Sequence, residues 1–338
     1  KVDAPEDTQP LAIEELHQIV LTQKPDFQAN YVIIPSDPGK AYKFYVGREG
    51  PLYANPYSGE LKETQSEGAH HFLHELEMWH RFFGISGDNW EIGRMINGVC
   101  NFAFVILCIT GLYLWFPRKW AKRVFRQILW FKPTRRSKAR DFNWHNVFGF
   151  WSMPALLILA GTGVVISFNW AHVLTFQLAG EEAPEFRDFR MMAVPPASVP
   201  ESSWDKPRLS YEKALASTKE RFPNWKTLAI YFPAPLDEGE SPKPLKLDLT
   251  RPDYMPNRAW SPVEVDPFTG EILQVVDFYD RSPGLRTRVW IRFIHTGGAF
   301  GVTGKMVASI FTAFSLVLVY TGFALTYRRF FGKKSKAT

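Results

Sequence analysis

Three long apolar segments constrain this chain more than any other feature of its sequence. They run roughly over residues 96–116, 147–170 and 306–327, and none of them contains Asp, Glu, Lys or Arg. Each has about the 20 apolar residues that a helix needs to cross a bilayer. The sequence therefore predicts an α-helical membrane protein, a helical bundle with three spans in this chain.

Basic residues are concentrated directly after two of these segments. Residues 117–140 contain ten basic residues and residues 327–338 contain five, with no acidic residue in either stretch. Cytoplasmic loops of membrane proteins have this composition. The positive-inside rule thus predicts a multi-pass protein with these two basic stretches in the cytoplasm and its large loops on the far side of the membrane, which in a bacterium is the periplasm. Because the basic charge lies beside the spans, the net charge of +6 does not predict a nucleic-acid partner.

The two segments outside the membrane resemble each other. Leu11–Pro25 matches Leu209–Pro223, and Tyr31–Pro35 matches Ala229–Pro233, both at an offset of 198 residues. The longer pair has the pattern of an amphipathic helix ended by proline.

A second matching pair follows at a larger offset. Asn55–Leu61 (NPYSGEL) matches Asp266–Ile272 (DPFTGEI), 211 residues later. Asx-Pro-aromatic-Ser/Thr-Gly-Glu predicts a turn between two strands. Each copy is therefore expected to be a small α+β module.

The repeat continues into the membrane. Thr110-Gly111 in the first span matches Thr321-Gly322 in the third, again at an offset of 211, and we interpret these residues as small ones for close helix packing. The second copy has a span before its module and the first copy has none, so we expect a preceding span and four spans with pseudo-two-fold symmetry in the full molecule.

This reading divides the chain into six parts. They are a periplasmic module (1–70), an amphipathic segment with a span (71–117), a basic cytoplasmic loop (118–142), a second span (143–170), a second periplasmic module (171–290), and a third span with a cytoplasmic tail (291–338).

Three histidines lie at the ends of the apolar segments, where ionisable side chains are usually functional. His80 and His295 are repeat mates on the outer side if a four-residue insertion precedes Gly93, and such a pair suits bis-axial ligation of one haem iron. His145 lies at the cytoplasmic start of the second span and predicts a second haem, whose other ligand we expect on the preceding span. His172, on the outer side, is an alternative to His80 as a ligand, or a residue that serves a substrate.

Other residues are candidates for supporting roles. Arg94 and Lys305, also repeat mates, are candidate contacts of haem propionates, although snorkelling to lipid headgroups explains them equally well. His70, His71 and His74 have the helical spacing of a metal site.

The combined motifs resemble the bacterial PepSY-associated transmembrane proteins. The matching pieces are His-Arg-Phe-Phe-Gly (80–84), Thr-Gly-Leu-Tyr-Leu-Trp-Phe-Pro-Arg (110–118), Trp-His-Asn-Val-Phe-Gly-Phe-Trp (144–151), Asp-Pro-Phe-Thr-Gly-Glu (266–271) and Ile-His-Thr-Gly-Gly-Ala-Phe-Gly (294–301). They extend over nearly the whole chain.

The resemblance implies two PepSY-like periplasmic modules and an inner-membrane ferric-siderophore reductase with two b-type haems. Electrons would come from a cytoplasmic or quinol donor and reach ferric siderophore iron in the periplasm. Candidate substrate contacts are Trp204, Trp225, Tyr254, Arg258 and Trp260. Two alternatives stay open, namely a membrane-anchored PepSY regulatory or binding module without redox activity, and a haem anchor that passes electrons to a separate partner.

Overall fold

The computed structural model describes residue 2 and residues 8–47, 50–63, 67–117, 122–186, 197–234 and 240–331. The chain divides into two compact units. The sheet unit consists of Lys1–Glu77 and Arg187–Arg286, and the helical unit consists of Met78–Phe186 and Thr287–Thr338. Five of the basic residues considered above lie outside the described residues, namely Arg118, Lys119, Lys333, Lys334 and Lys336.

All eight described strands lie in the sheet unit, whereas both units contain helices. The described α-helices are α1 (Ile13–Gln23), α2 (Glu67–Phe82), α3 (Trp90–Trp115), α4 (Lys122–Leu129), α5 (Ser137–Ser167), α6 (Asn169–Gln177), α7 (Tyr211–Arg221), α8 (Pro283–His295) and α9 (Gly301–Phe330). The described strands are β1 (Tyr31–Pro35), β2 (Tyr42–Tyr45), β3 (Leu52–Ala54), β4 (Leu61–Lys62), β5 (Thr227–Tyr231), β6 (Leu245–Thr250), β7 (Ser261–Val265) and β8 (Ile272–Val275).

The helices and turns predicted for the sheet unit are confirmed. Helices α1 and α7 lie within the two matching amphipathic segments. In the first turn the Asn55 side chain accepts a hydrogen bond from the Tyr57 amide at 2.9 Å, and in the second the Asp266 carboxylate accepts one from the Phe268 amide at 2.8 Å. The Asx side chain closes each turn in the same way, and each turn joins two antiparallel strands.

The strands of both matching segments form one antiparallel sheet. Its order is β4-β3-β2-β1-β5-β6-β7-β8, so the strands follow in chain order outward on each side of the central β1–β5 pair. Val32 lies directly opposite Ile230 in that pair, and the two residues are 198 positions apart. The sequence predicted two separate modules. Each module alone would leave one edge of its sheet without hydrogen-bond partners. The pairing of β1 with β5 supplies these partners to both edges.

The two helices of the sheet unit exchange hydrogen bonds at their first turns. Glu212 accepts a hydrogen bond from the Ile13 amide and Glu14 accepts one from the Tyr211 amide, both at 2.6 Å. Each carboxylate thus satisfies an amide that the other helix leaves without an intrahelical partner. Beneath these contacts, Leu16 and Leu215 are buried in the core between the helices and the sheet.

The three predicted spans are confirmed as helices. Gly87–Trp115, Ser137–Ser167 and Gly298–Phe330 are each long and apolar enough to cross a membrane. Helix α5 packs against both α3 and α9 and is the central helix of the three. Helix α6 follows it in the helical unit, so the unit boundary lies after Phe186, whereas the sequence placed residues from 171 onward in the second outer module.

Two glycines allow the histidine-bearing helices to turn tightly into the spans. A Cβ atom on Gly93 would overlap the carbonyl oxygen of Phe82, two residues after His80. A Cβ atom on Gly304 would overlap the carbonyl oxygen of Gly297, two residues after His295. The same backbone contact therefore fixes the end of α2 against α3 and the end of α8 against α9.

We predict that Gly93→Ala and Gly304→Ala each lower the apparent Tm of the purified protein in detergent. The added methyl group must push the carbonyl away, and overpacking of this kind costs about 1–3 kcal/mol. Gly161→Ala is the matched control, because a Cβ atom there meets no atom within 4 Å of the described structure. An unchanged Tm for both variants would show that the close approach is not required.

Candidate functional site

His80 and His295 lie next to each other in the helical unit. His80 is in the last turn of α2, and α8 ends at His295. Their ring centroids are 6.0 Å apart, with 24° between the ring planes. Two imidazoles that bind one metal ion from opposite sides, each through a nitrogen about 2 Å from the metal, have ring centroids about 6 Å apart. The pair therefore has the spacing of two axial ligands.

Hydrogen bonding determines which ring nitrogen of His295 has a lone pair that could bind a metal ion. Its Nδ1 atom lies 2.9 Å from the carbonyl oxygen of Leu159 on α5. Because a carbonyl only accepts, Nδ1 carries the proton and Nε2 of the neutral ring has a lone pair. Burial lowers the pKa of His295 and the neighbouring His80 lowers it further, against the opposing effect of the Leu159 bond. The ring is thus neutral at pH 7, the form that binds a metal.

A Thr-Gly pair on α5 contacts the His295 ring. The Thr162 hydroxyl lies 3.2 Å from Nδ1 and donates its own proton to backbone carbonyls of its helix. A Cβ atom on the adjacent Gly163 would lie 3.2 Å from Cε1 of His295 and 2.9 Å from the Asn101 amide. Glycine therefore leaves the space that the imidazole occupies.

A second Thr-Gly pair contacts His145. The Nδ1 atom of His145, on α5, lies 2.9 Å from the hydroxyl of Thr321 on α9. That hydroxyl donates to the Val317 carbonyl at 2.7 Å and so accepts from the histidine. A Cβ atom on Gly322 would lie 3.6 Å from Cε1 of His145. His145 and His295 thus share one arrangement, in which Nδ1 is bonded to a neighbouring span.

The third Thr-Gly pair is differently placed. Thr110 and Gly111 lie on an exposed face of α3, and a Cβ atom on Gly111 would meet no atom of the described structure within 4 Å. Among the described residues of the helical unit, no second histidine ring contacts His145.

The structure gives His172 a different role from the histidine pair. The side chain is fully buried on α6, where Nε2 donates to the Pro184 carbonyl at 3.0 Å and Nδ1 accepts from Arg288 Nε at 3.3 Å. Both ring nitrogens are engaged, which leaves no lone pair for a metal. His172 therefore holds α8 and the chain after α6 together, and the structure favours His80 over it as the partner of His295.

The other candidate residues are spread along the helices. The Arg94 guanidinium lies over the rings of Trp90 and Phe186, 5.7 Å and 5.4 Å from their centroids, and Lys305 is exposed on α9. His70, His71 and His74 are on α2. Within the described ranges, no group of three or more His, Cys, Asp or Glu side chains is placed to hold a metal ion.

Most aromatic candidates for substrate contact serve the packing of the sheet unit. Tyr254 is fully buried and donates to Asp277 at 2.8 Å. Trp225 packs against the core, and Trp260 lies under the Arg281 guanidinium. Trp204 is partly exposed and Arg258 is exposed.

Comparison with known proteins agrees with this architecture. The family model described as PepSY-associated TM region matches residues 1–335. The chain belongs to the PepSY-associated TM family. It is therefore a membrane protein, and the three apolar helices contact the lipid bilayer. No curated protein matches the chain significantly.

Sequence reasoning missed the residues that orient the histidines. The Thr-Gly pairs at 110–111 and 321–322 were noted in the sequence but interpreted as helix-packing residues, and Thr162-Gly163 was not connected with them. The shared signal is a Thr-Gly pair in every span. The hydrogen bond between Arg288 and His172 has no comparable sequence pattern.

We predict that the apparent Tm falls as the pH is lowered from about 7.5 to about 5.5, in part because of His172. Burial lowers the pKa of His172 from the ordinary value of 6.5, and the Arg288 guanidinium lowers it further, against the effect of the bond to Pro184. Below pH 6.5 the unfolded chain takes up a proton that the folded chain does not, so this contribution to stability is present above pH 6.5 and declines below it.

The variant His172→Gln tests the assignment, because its amide can keep both hydrogen bonds without titrating. Its Tm is expected to depend less on pH than that of the wild type. His71→Gln, which replaces an exposed histidine on α2, is expected to leave the pH dependence unchanged. Identical pH profiles for the wild type and His172→Gln would contradict the prediction.

Proposed function

We propose that this protein is a di-haem b electron-transfer protein of the bacterial inner membrane that reduces ferric siderophore iron in the periplasm and releases Fe(II). The observation that carries the proposal is the His80–His295 pair, with its 6.0 Å centroid separation. The bond from Nδ1 of His295 to Leu159 supports it, because the bond directs the available lone pair to Nε2.

The residues of this pair fit one haem. His80 is exposed and His295 is anchored to α5 by Leu159 and Thr162. Haem, when bound, supplies one-electron transfer. The backbone carbonyl of Leu159 and the hydroxyl of Thr162 fix the ring of His295, and Gly163 leaves space for that ring.

A second haem is proposed at His145. Thr321 orients this ring as Thr162 orients His295, with Nδ1 bonded and Nε2 available. The other ligand would come from outside the described residues. The exposed Thr110–Gly111 pair, which is the repeat mate of Thr321–Gly322, is the surface where we expect that ligand to pack.

We further propose that the chain is a tandem repeat whose two PepSY-like modules lie in the periplasm. The strand order around β1 and β5 supports the repeat, as do the exchanged bonds of Glu14 and Glu212. The basic residues beside the spans support this orientation. It would place His145 toward the cytoplasm and His295 toward the periplasm.

The proposed reaction moves one electron at a time. A quinol or a cytoplasmic reductant is oxidised, and each electron converts one siderophore-bound Fe(III) to Fe(II). Hard oxygen ligands hold Fe(II) less tightly than Fe(III), so reduction weakens the chelate and releases the metal. One haem held by His80 and His295 and a second held by His145 would give the electron two fixed positions on its path.

We predict that the purified full-length protein has a b-type haem spectrum in its oxidised and dithionite-reduced forms, with about two haems per chain. His80→Ala and His295→Ala should each lose about one haem per chain, because each removes an axial ligand of the same site. His71→Ala is the matched control, since His71 lies on the same helix as His80 and is exposed. Unchanged haem content in both ligand variants would contradict the assignment.

A second assay separates the proposed reaction from its alternatives. A ferric hydroxamate is added anaerobically to the reduced protein, and an Fe(II)-specific chelator reports release. Reoxidation of haem with stoichiometric Fe(II) supports the reductase. Haem without reoxidation favours an electron-transfer anchor for another protein, and a colourless protein from haem-replete cells favours a regulatory or binding module.

A further inference from the structure

Exposed basic side chains form a surface between the first and second spans, on α4 and the loop that leads into α5. We call this surface the basic platform. Its exposed members are Lys122, Arg126, Lys132, Arg135, Arg136 and Lys138. The nearest acidic residue in the sequence, Asp141, is fully buried and forms ion pairs with Arg140 and Arg328. It therefore does not neutralise the platform.

The loop of the platform is held in place by α5. The Asn143 side chain accepts from the Lys132 amide at 2.9 Å and donates to the Trp130 carbonyl at 3.1 Å. The Trp151 indole donates to the Leu129 carbonyl at 3.0 Å. These bonds fix the loop backbone to a helix that is long and apolar enough to cross a membrane. The charges are thus presented from an ordered backbone.

Exposed aromatic side chains lie on the loop of the platform and at the start of α5. Trp130 and Phe131 are 63% and 54% exposed, and Phe142 and Trp144 at the start of α5 are also exposed. Exposed aromatic rings beside the end of a span are typical of the membrane–water interface. A soluble acidic protein or a nucleic acid would leave these rings in water, whereas a lipid surface covers them.

We propose that the basic platform binds the phosphate groups of anionic phospholipids. Basic clusters at a membrane surface attract anionic lipid, and each Lys or Arg strengthens the binding by about fivefold. Fixed positions reduce the side-chain and loop ordering that binding would otherwise require. This inference does not depend on the proposed redox function, because it involves none of the haem-ligand histidines.

The test uses the full-length protein in detergent and measures retention of phosphatidylglycerol and phosphatidylcholine by native mass spectrometry. The platform variant carries Lys132→Gln, Arg135→Gln, Arg136→Gln and Lys138→Gln. The control variant carries four matched changes at exposed residues of the sheet unit, Lys206→Gln, Arg208→Gln, Lys213→Gln and Arg221→Gln. We expect the platform variant to bind phosphatidylglycerol at least about tenfold more weakly, and the control to bind like the wild type.

Several results would overturn the proposal. They are equal retention of the two lipids by the wild type, an equal loss in both variants, and binding of a polyglutamate peptide to the platform in discs of phosphatidylcholine alone. If the platform variant fails to fold by circular dichroism, a salt titration of the wild type decides. The preference for phosphatidylglycerol should fall steeply from about 0.1 M to about 1 M NaCl, as the screening length shortens from about 10 Å to about 3 Å. A preference independent of salt would refute an electrostatic site.

Discussion

The hydrogen bond from an imidazole Nδ1 to a neighbouring span is the interaction on which the candidate site depends. A ring N–H in an apolar helical bundle must find an acceptor, since water is absent from the bilayer core. Leu159 and Thr162 accept from His295, and Thr321 accepts from His145. The same bond that satisfies the ring also selects Nε2 as the available ligand atom. One hydrogen bond thus both satisfies the ring N–H and leaves the lone pair on Nε2.

The tight turns that lead into the spans bring His80 and His295 together. The carbonyl group of Phe82 packs closely against the backbone of Gly93, and the carbonyl group of Gly297 packs closely against that of Gly304. Each turn follows a histidine by two residues, so the end of each helix is fixed relative to a span. A side chain at either glycine would separate the helix from the span and change the His80–His295 distance. Backbone proximity, rather than side-chain packing alone, thus sets the geometry of the pair.

Much of this architecture could be predicted from the sequence because it depends on local patterns. Apolar length predicted the three spans, and the Asx-Pro turns predicted the strand pairs that the structure contains. The repeat alignment paired His80 with His295 when a four-residue insertion before Gly93 was allowed, and their ring centroids lie 6.0 Å apart. The joining of both modules in one sheet was not predicted, because the pairing of β1 with β5 is a contact between residues about 200 positions apart.

The role of His172 shows a second limit of sequence reasoning. Its position just after the end of a span resembles that of a ligand, yet Pro184 and Arg288 occupy both ring nitrogens. Arg288 lies 116 residues away, and nothing near His172 in the sequence indicates that contact. The Thr-Gly pairs, by contrast, are visible in the sequence. In the pairs at 162–163 and 321–322 the threonine hydroxyl lies beside a histidine, and this contact between helices is not visible in the sequence.

The most direct test of the central claim is low-temperature electron paramagnetic resonance of the oxidised full-length protein, labelled with ¹⁵N-histidine. The account predicts a low-spin ferric signal with hyperfine coupling to two imidazole nitrogens at the outer haem, as His80 and His295 would supply. A high-spin signal, coupling to a single histidine nitrogen, or the absence of haem iron would contradict it.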